Sequence, residues 1–196
     1  MSATAYDARA DEYIAALGSI DAVHPVDRSV VEAWAARVTG PVLDAGCGPG
    51  HWSAHLDRLG LDVRGVDLAP RFIAHARAAH AGIRFDVGSI DELEAADGEF
   101  GGILSWFSTI HHEPARIDVP LREFARTLRP GGRLLLGFFV GTEVEAFEHA
   151  VVRAYRWPAA ELGRRADAAG FDVIETHTRE TRGERPVGAM LCERRA

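Results

Sequence analysis

From residue 41 onward short apolar runs alternate with longer amphipathic ones, and this rhythm restricts the fold more than any other feature. "PVLDA" (41–45) reads as a buried strand and "GHWSAHLDRLG" (50–60) as a helix closed by Gly60. "DVRGVDL" (62–68) is a strand, and "APRFIAHARAAH" (69–80) is a helix with Pro70 in its first turn. "IRFDVG" (83–88) and "FGGILSWF" (100–107) are strands. "VPLREFARTL" (119–128) is a helix stopped by "RPGG", followed by the fully apolar strand "RLLLGFFV" (133–140). "PAAELGRRADAAG" (158–170) is a last helix, and "FDVIETHT" and "VGAMLCE" are two final strands. Strand and helix in this order build an open parallel sheet with helices on both faces. Ligands of such sheets bind at the carboxyl ends of the strands, near the point where the strand order reverses.

Residues 1–40 carry no strand of their own; they read as helix, including "VDRSVVEAWAARV", that forms a lid or packs over the sheet edge. The expectation is one domain over 1–196, with 1–40 as lid segment and 41–196 as binding core. Acidic residues number 29 against 22 basic ones, giving a net charge of -7, which argues against a nucleic-acid or anionic-membrane partner. All the basic residues are Arg, so lysine Schiff-base chemistry and a P-loop lysine are excluded. Cys47 and Cys192 form neither a metal-ligand spacing nor a disulfide scaffold. No apolar run suits a signal peptide or a membrane span, so a cytoplasmic location is expected.

The chemistry concentrates in "DAGCGPG" (44–50). Gly46, Gly48 and Gly50 leave a channel without Cβ atoms, through which a ligand reaches bare backbone. The helix that follows offers unpaired N–H groups at its start. The spacing is G-x-G-x-G, not the G-x-G-x-x-G of a dinucleotide loop, and Asp44 stands two residues ahead of the first glycine.

"VLDAGCGPG" resembles the first motif of class I S-adenosylmethionine-dependent methyltransferases, and the likeness runs over nearly the whole chain. "VRGVDLAP" resembles their second motif, "LREFARTLRPGGRLLLG" their post-catalytic helix and fifth strand, and "YDARADEY" the N-terminal segment of many small-molecule members. The resemblance implies a Rossmann-like three-layer sandwich: a mostly parallel seven-stranded sheet with an antiparallel last strand and an N-terminal helical lid. It implies S-adenosyl-L-methionine as cofactor, S-adenosyl-L-homocysteine as product, and methyl transfer by in-line attack from an O, N, S or C atom of a small molecule. Asp44 would organise the loop and lie near the cofactor's ammonium. Gly46, Gly48 and Gly50 would shape the cofactor's bed, with the first two facing its methionine and ribose. Asp67 would accept both ribose hydroxyls, and Leu68 would pack on adenine. The third motif departs from the family pattern: "FDVGSIDEL" puts Ser89 where an Asp often takes the adenine amino group, although the N–H of Ile90 still suits adenine N1. After the fourth strand, "SWFSTIHHEP" begins at Ser105, a further candidate for the cofactor's bed, with neither the motif of DNA amino-methyltransferases nor the metal-binding Asp of catechol-type enzymes.

Other candidates carry two readings each. His111 is a candidate general base or a packing residue, and an unperturbed imidazole titrates near 6.5. His111, His112 and Glu113 are adjacent, a spacing that does not converge on a metal, so none is expected. Trp106, Tyr155 and Trp157 are candidates for the acceptor pocket, with core packing as the alternative. Tyr6 and Tyr13 sit in the lid, where Tyr13 would meet the cofactor. Arg28 would fork onto the cofactor carboxylate or stand solvated on its helix. Two rival functions remain: an NAD-type oxidoreductase, for which the loop spacing is wrong, and a cofactor-binding module without a reaction. Neither the acceptor nor the oligomeric state is legible in the sequence.

Overall fold

The computed structural model describes residues 9–149 and 152–196. Its helices are α1 (Ala10–Leu17), α2 (Pro25–Ala35), α3 (His51–Arg58), α4 (Pro70–Ala79), α5 (Asp118–Thr127) and α6 (Ala159–Ala168). Its strands are β1 (Val42–Ala45), β2 (Val63–Asp67), β3 (Arg84–Val87), β4 (Phe100–Trp106), β5 (Leu128–Val140), β6 (Glu145–Phe147), β7 (Ala154–Trp157), β8 (Phe171–Arg179) and β9 (Val187–Arg194). The first five strands lie in the order β3-β2-β1-β4-β5 and run parallel. β9 runs antiparallel along the far edge of β5, from Arg133↔Glu193 to Phe139↔Val187, and β8 pairs antiparallel outside it. The order reverses between β1 and β4, so the loops after these two strands face one crevice.

Both faces of the centre are covered, which is why its strands are mostly apolar. All four residues of β1 are buried. Alternation splits β5 between two cores: Leu134, Leu136 and Phe138 join Phe124 of α5 and Leu162 of α6, and Leu135 joins the core on the other face. That second core holds Val31, Trp34 and Ala35 of α2, spaced as one helical stripe, beside Trp52 and Leu56 of α3. α2 is therefore a layer of the sandwich rather than an edge cover. Pro25 opens it, and His24 Nδ1 accepts the Val26 N–H at 3.2 Å as its cap. α1 packs through Ala10, Tyr13 and Ile14 on Ala69 and Phe72.

Among the described residues the sheet holds nine strands where seven are expected. The additional pair is the β6–β7 hairpin, in a segment with no strand expectation. β4 pairs with β5 only as far as Trp106↔Gly137, and β5 runs on to Val140. The edge vacated by β4 is taken by β7, through Phe139↔Arg156 and Val140↔Trp157. Strands of three and four residues are too short to show a period in the sequence; the overhanging end of β5 supplies the template.

Candidate active site

The loop after β1 is bent back over β2. Gly46, at φ 78°, donates its N–H to the Val66 carbonyl at 2.8 Å, and Cys47 donates to the same oxygen at 2.9 Å. Gly48, at φ 54°, donates to Asp67 Oδ2 at 2.9 Å, and Ala69 donates to Asp67 Oδ1 at 2.8 Å. The carboxylate at the end of β2 is thus fixed by one backbone donor per oxygen. Each oxygen keeps a second lone-pair direction for a ligand hydroxyl. Burial raises the Asp67 pKa, against the pull of the Ala69, Gly48 and Leu68 amides. Asp44, buried at the end of β1, accepts a hydrogen bond of 2.6 Å from Ser53 Oγ of α3. Burial pushes its pKa to about 7; Ser53 opposes that rise and the nearby Asp67 adds to it.

The three glycines do different things. A Cβ on Gly46 would stand 2.2 Å from the Ser108 Cβ, so this glycine admits the loop after β4. A Cβ on Gly48 would meet nothing within 4 Å, so it opens onto empty space. A Cβ on Gly50 would meet the Phe85 ring at 2.9 Å and Ala76 at 3.0 Å. Gly50 therefore packs the loop against α4 and β3 and does not line the cavity, a correction to its expected place in the cofactor bed.

The crevice is a cavity of about 1150 Å³, larger than the ~300–1,000 Å³ of ordinary ligand pockets and suited to two molecules side by side. Of the expected residues, Tyr13, Asp44, Gly46, Gly48, Asp67, Leu68, Ser89, Ile90, Trp106, His111 and Tyr155 all line it. Leu68 is 43% exposed, an apolar surface at the cavity wall. Ser89 Oγ accepts the Asp91 N–H at 3.1 Å, which shapes the turn holding Ile90. Tyr13 packs on Phe72 with ring centroids 5.2 Å apart, and burial followed by Asp67 raises its pKa. Tyr6 lies outside the described residues.

Three further expectations are corrected. Ser105 is fully buried and shares a 2.7 Å hydrogen bond with Ser108 Oγ; Ser108 reaches the cavity instead. The turn between them passes through Phe107, at φ 56° for a non-glycine residue, which carries the chain round the end of β4. Trp157 is 2% exposed and belongs to the core beneath the Arg165 guanidinium, because β7 leads it under α6. Arg28 faces Glu32 on its own helix at 4.0 Å and does not line the cavity, whereas His24 and Asp27 do. Asp27 is held by Arg179 at 2.7 Å, tying α2 to the end of β8.

His111 and His112 both line the cavity but are committed differently. His111 Nδ1 lies 2.8 Å from the Arg153 carbonyl, which only accepts, so Nδ1 donates and the neutral ring carries its lone pair on Nε2. Burial lowers the His111 pKa, the Arg153 carbonyl opposes that, and His112 adds to the lowering. His112 places Nε2 at 2.7 Å from Asp91 and Nδ1 at 3.2 Å from the Thr109 carbonyl. Among the described residues no group of three or more His, Cys, Asp or Glu side chains is placed to hold a metal ion. Ser108, Phe139 and His149 also line the cavity and carry no signal in the sequence beyond residue type.

A family model described as a methyltransferase domain matches residues 42–132, the stretch from β1 to the start of β5. The ubiquinone biosynthesis O-methyltransferase of Xanthomonas axonopodis pv. citri is 33% identical over 139 residues, covering 69% of this chain and 57% of that protein. The chain thus spans little more than half the length of this relative. In fold it is similar to the 1,6-didemethyltoxoflavin-N1-methyltransferase of Burkholderia thailandensis, solved with its substrate and S-adenosylhomocysteine. The TM-score is 0.79 at 21% identity, over 99% of this chain and 89% of that one. A cyclase shares the fold as well, with a TM-score of 0.69 at 17% identity over 86% and 80% of the two chains. The motif loop, the carboxylate at the end of β2, the strand order and the family match agree: residues 42–132 are a methyltransferase domain, and the chain resembles the class I S-adenosylmethionine-dependent methyltransferases.

Proposed function

We propose that this chain binds S-adenosyl-L-methionine and moves its methyl group to a small-molecule acceptor. The observation that carries the reading is the Asp67 carboxylate, fixed by the Gly48 and Ala69 amides and open to the cavity. The residues fit the cofactor in three respects. Asp67 matches a ribose diol, the empty space at Gly48 gives a path along bare backbone, and the exposed Leu68 offers a face to adenine. Asp44 would stand near the ammonium, whose charge favours its ionised form. Bound S-adenosylmethionine would supply a methyl carbon made electrophilic by the sulfonium, with the carbon–sulfur electron pair staying on sulfur. The chain itself supplies position and exclusion of water.

Where the acceptor must lose a proton, His111 Nε2 takes it, since Nδ1–H is committed to Arg153. The relatives' names support an oxygen or nitrogen acceptor on a small molecule. Among the described residues no helix is long and apolar enough to cross a membrane. Calorimetric titration with S-adenosylhomocysteine and with NADH tests the reading, followed by methyl transfer to a metabolite panel. Micromolar binding of the first and none of the second is expected. NADH binding, or no binding of S-adenosylhomocysteine at millimolar concentration by folded protein, overturns it. Binding without transfer to any acceptor favours the non-catalytic module.

A further inference from the structure

We propose that His149, on the connection between β6 and β7, determines acceptor specificity, and that the acceptor is a flat aromatic molecule bearing an acidic hydroxyl. This goes beyond the methyl-transfer reading and rests on it for the neighbouring cofactor.

Three observations converge. The first is the wall. Trp106, Phe107, Phe139 and Tyr155 line the cavity beyond the glycine loop. Trp106 meets Phe107 at 5.5 Å and 86°, Phe107 meets Phe139 at 5.1 Å and 57°, and Phe139 meets the His149 ring at 5.9 Å and 52°. Each contact is tilted or edge-on, so no ring hides its face flat against the next. Such a wall offers face and edge contacts to a flat conjugated ring and far less to an aliphatic chain.

The second is a hydrogen-bonding deficit. His149 Nδ1 is buried without a partner. A buried bare lone pair is tolerated better than an N–H without an acceptor, so the ring proton belongs on Nε2. His149 is then a donor, complementary to His111, whose Nε2 carries the lone pair. A hydroxyl placed between them gives its proton to His111 Nε2 while its oxygen accepts from His149 Nε2–H.

The third is charge. Burial first, then His111 and Arg185, hold the His149 pKa down to about 4, so the ring is neutral near pH 7. A neutral ring that donates from Nε2 finds no lone pair on a cationic amine, whereas a hydroxyl oxygen offers one.

The test uses the full chain saturated with S-adenosylhomocysteine and titrated calorimetrically with naphthol, methylnaphthalene, decahydronaphthol and naphthylmethylamine. Naphthol is expected to bind at least about tenfold tighter than decahydronaphthol and the amine. His149→Ala is expected to weaken naphthol roughly five- to twentyfold, the loss of one hydrogen bond, and to leave methylnaphthalene and S-adenosylhomocysteine within about twofold. His149→Gln, which carries an amide donor to the Nε2 position, is expected to recover most of the loss. A variant that merely loosens the fold would weaken every ligand together and lower the melting temperature, and that overturns the assignment to His149. Equal or tighter binding of decahydronaphthol or of the amine overturns the acceptor class. A chain that holds naphthol but not S-adenosylhomocysteine refutes the methyltransferase reading and leaves the acceptor site supported.

Discussion

Asp67 and Asp44 stand one strand apart, yet their environments give them different tasks. Asp67 is pinned by amides and presents oxygen to the cavity. Asp67→Ala removes both acceptors for a diol, so S-adenosylhomocysteine affinity should fall roughly ten- to hundredfold, since a hydrogen bond to a charged group contributes about 1.5–3 kcal/mol. Calorimetry checks this, and a loss below about threefold would remove the ribose role from Asp67. Asp44 carries a prediction about pH. Its folded pKa of about 7 lies above the ordinary carboxylate value of 3.8. Between these values the native state binds the proton and the unfolded chain does not. The stability it contributes is therefore complete below the lower value and is lost as pH rises to the upper one. Asp44→Asn mimics the protonated group. It should match the wild type at acid pH and exceed it by about 1–3 kcal/mol above neutrality in the absence of ligand. Comparing the two proteins cancels the opposite trend of His51 and His149, whose pKa values are lowered to about 4, chiefly by burial. Denaturant midpoints across the pH range test it; a difference independent of pH would refute the raised pKa.

At the level of elements, the glycine loop separates folding from binding. Gly48→Ala meets no atom within 4 Å, so its cost to the fold is that of a positive φ, about 1–2 kcal/mol. Its methyl group enters the space assigned to the ligand, so S-adenosylhomocysteine affinity should fall more than stability does. Gly50→Ala drives a Cβ into the Phe85 ring at φ 87°. It should lower the melting temperature at least as much, with affinity following only through the fold. Paired thermal and calorimetric measurements read this contrast, and the reverse order would show the loop roles to be exchanged. All three glycines are visible in the sequence because each answers a local demand. Their division of labour is not, because Phe85 and Ser108 arrive from 35 and 62 residues away along the chain.

Across the whole molecule, the Asp27–Arg179 pair joins α2 to the C-terminal hairpin at the cavity rim, and both side chains are less than a fifth exposed. Removing one partner leaves a poorly solvated charge. Arg179→Met should therefore cost about 1–3 kcal/mol, and adding Asp27→Asn should recover part of it. Chemical denaturation of the two variants measures both steps. An uncoupled, additive result would show that the pair does not tie the two ends together. Phe124, fully buried between the sheet and its helices, sets the scale for comparison: Phe124→Ala should cost about 3–5 kcal/mol.

Local physics made much of this protein legible in its sequence. Strands covered on both faces must be apolar, positive φ calls for glycine, and a carboxylate at the end of a parallel strand points into the crevice. On those grounds β1 to β5, the loop at 46–50 and the positions of Asp44 and Asp67 can be read without coordinates. What the tertiary structure alone decided is which side of each element meets the cavity. Trp157 enters the core while Phe139 and His149 face the ligand space; Ser108 displaces Ser105, and Asp27 displaces Arg28. The β6–β7 hairpin exists because β5 outruns β4. These outcomes depend on packing between segments as distant as Asp27 and Arg179, 152 residues apart, and no local period or propensity encodes such a contact.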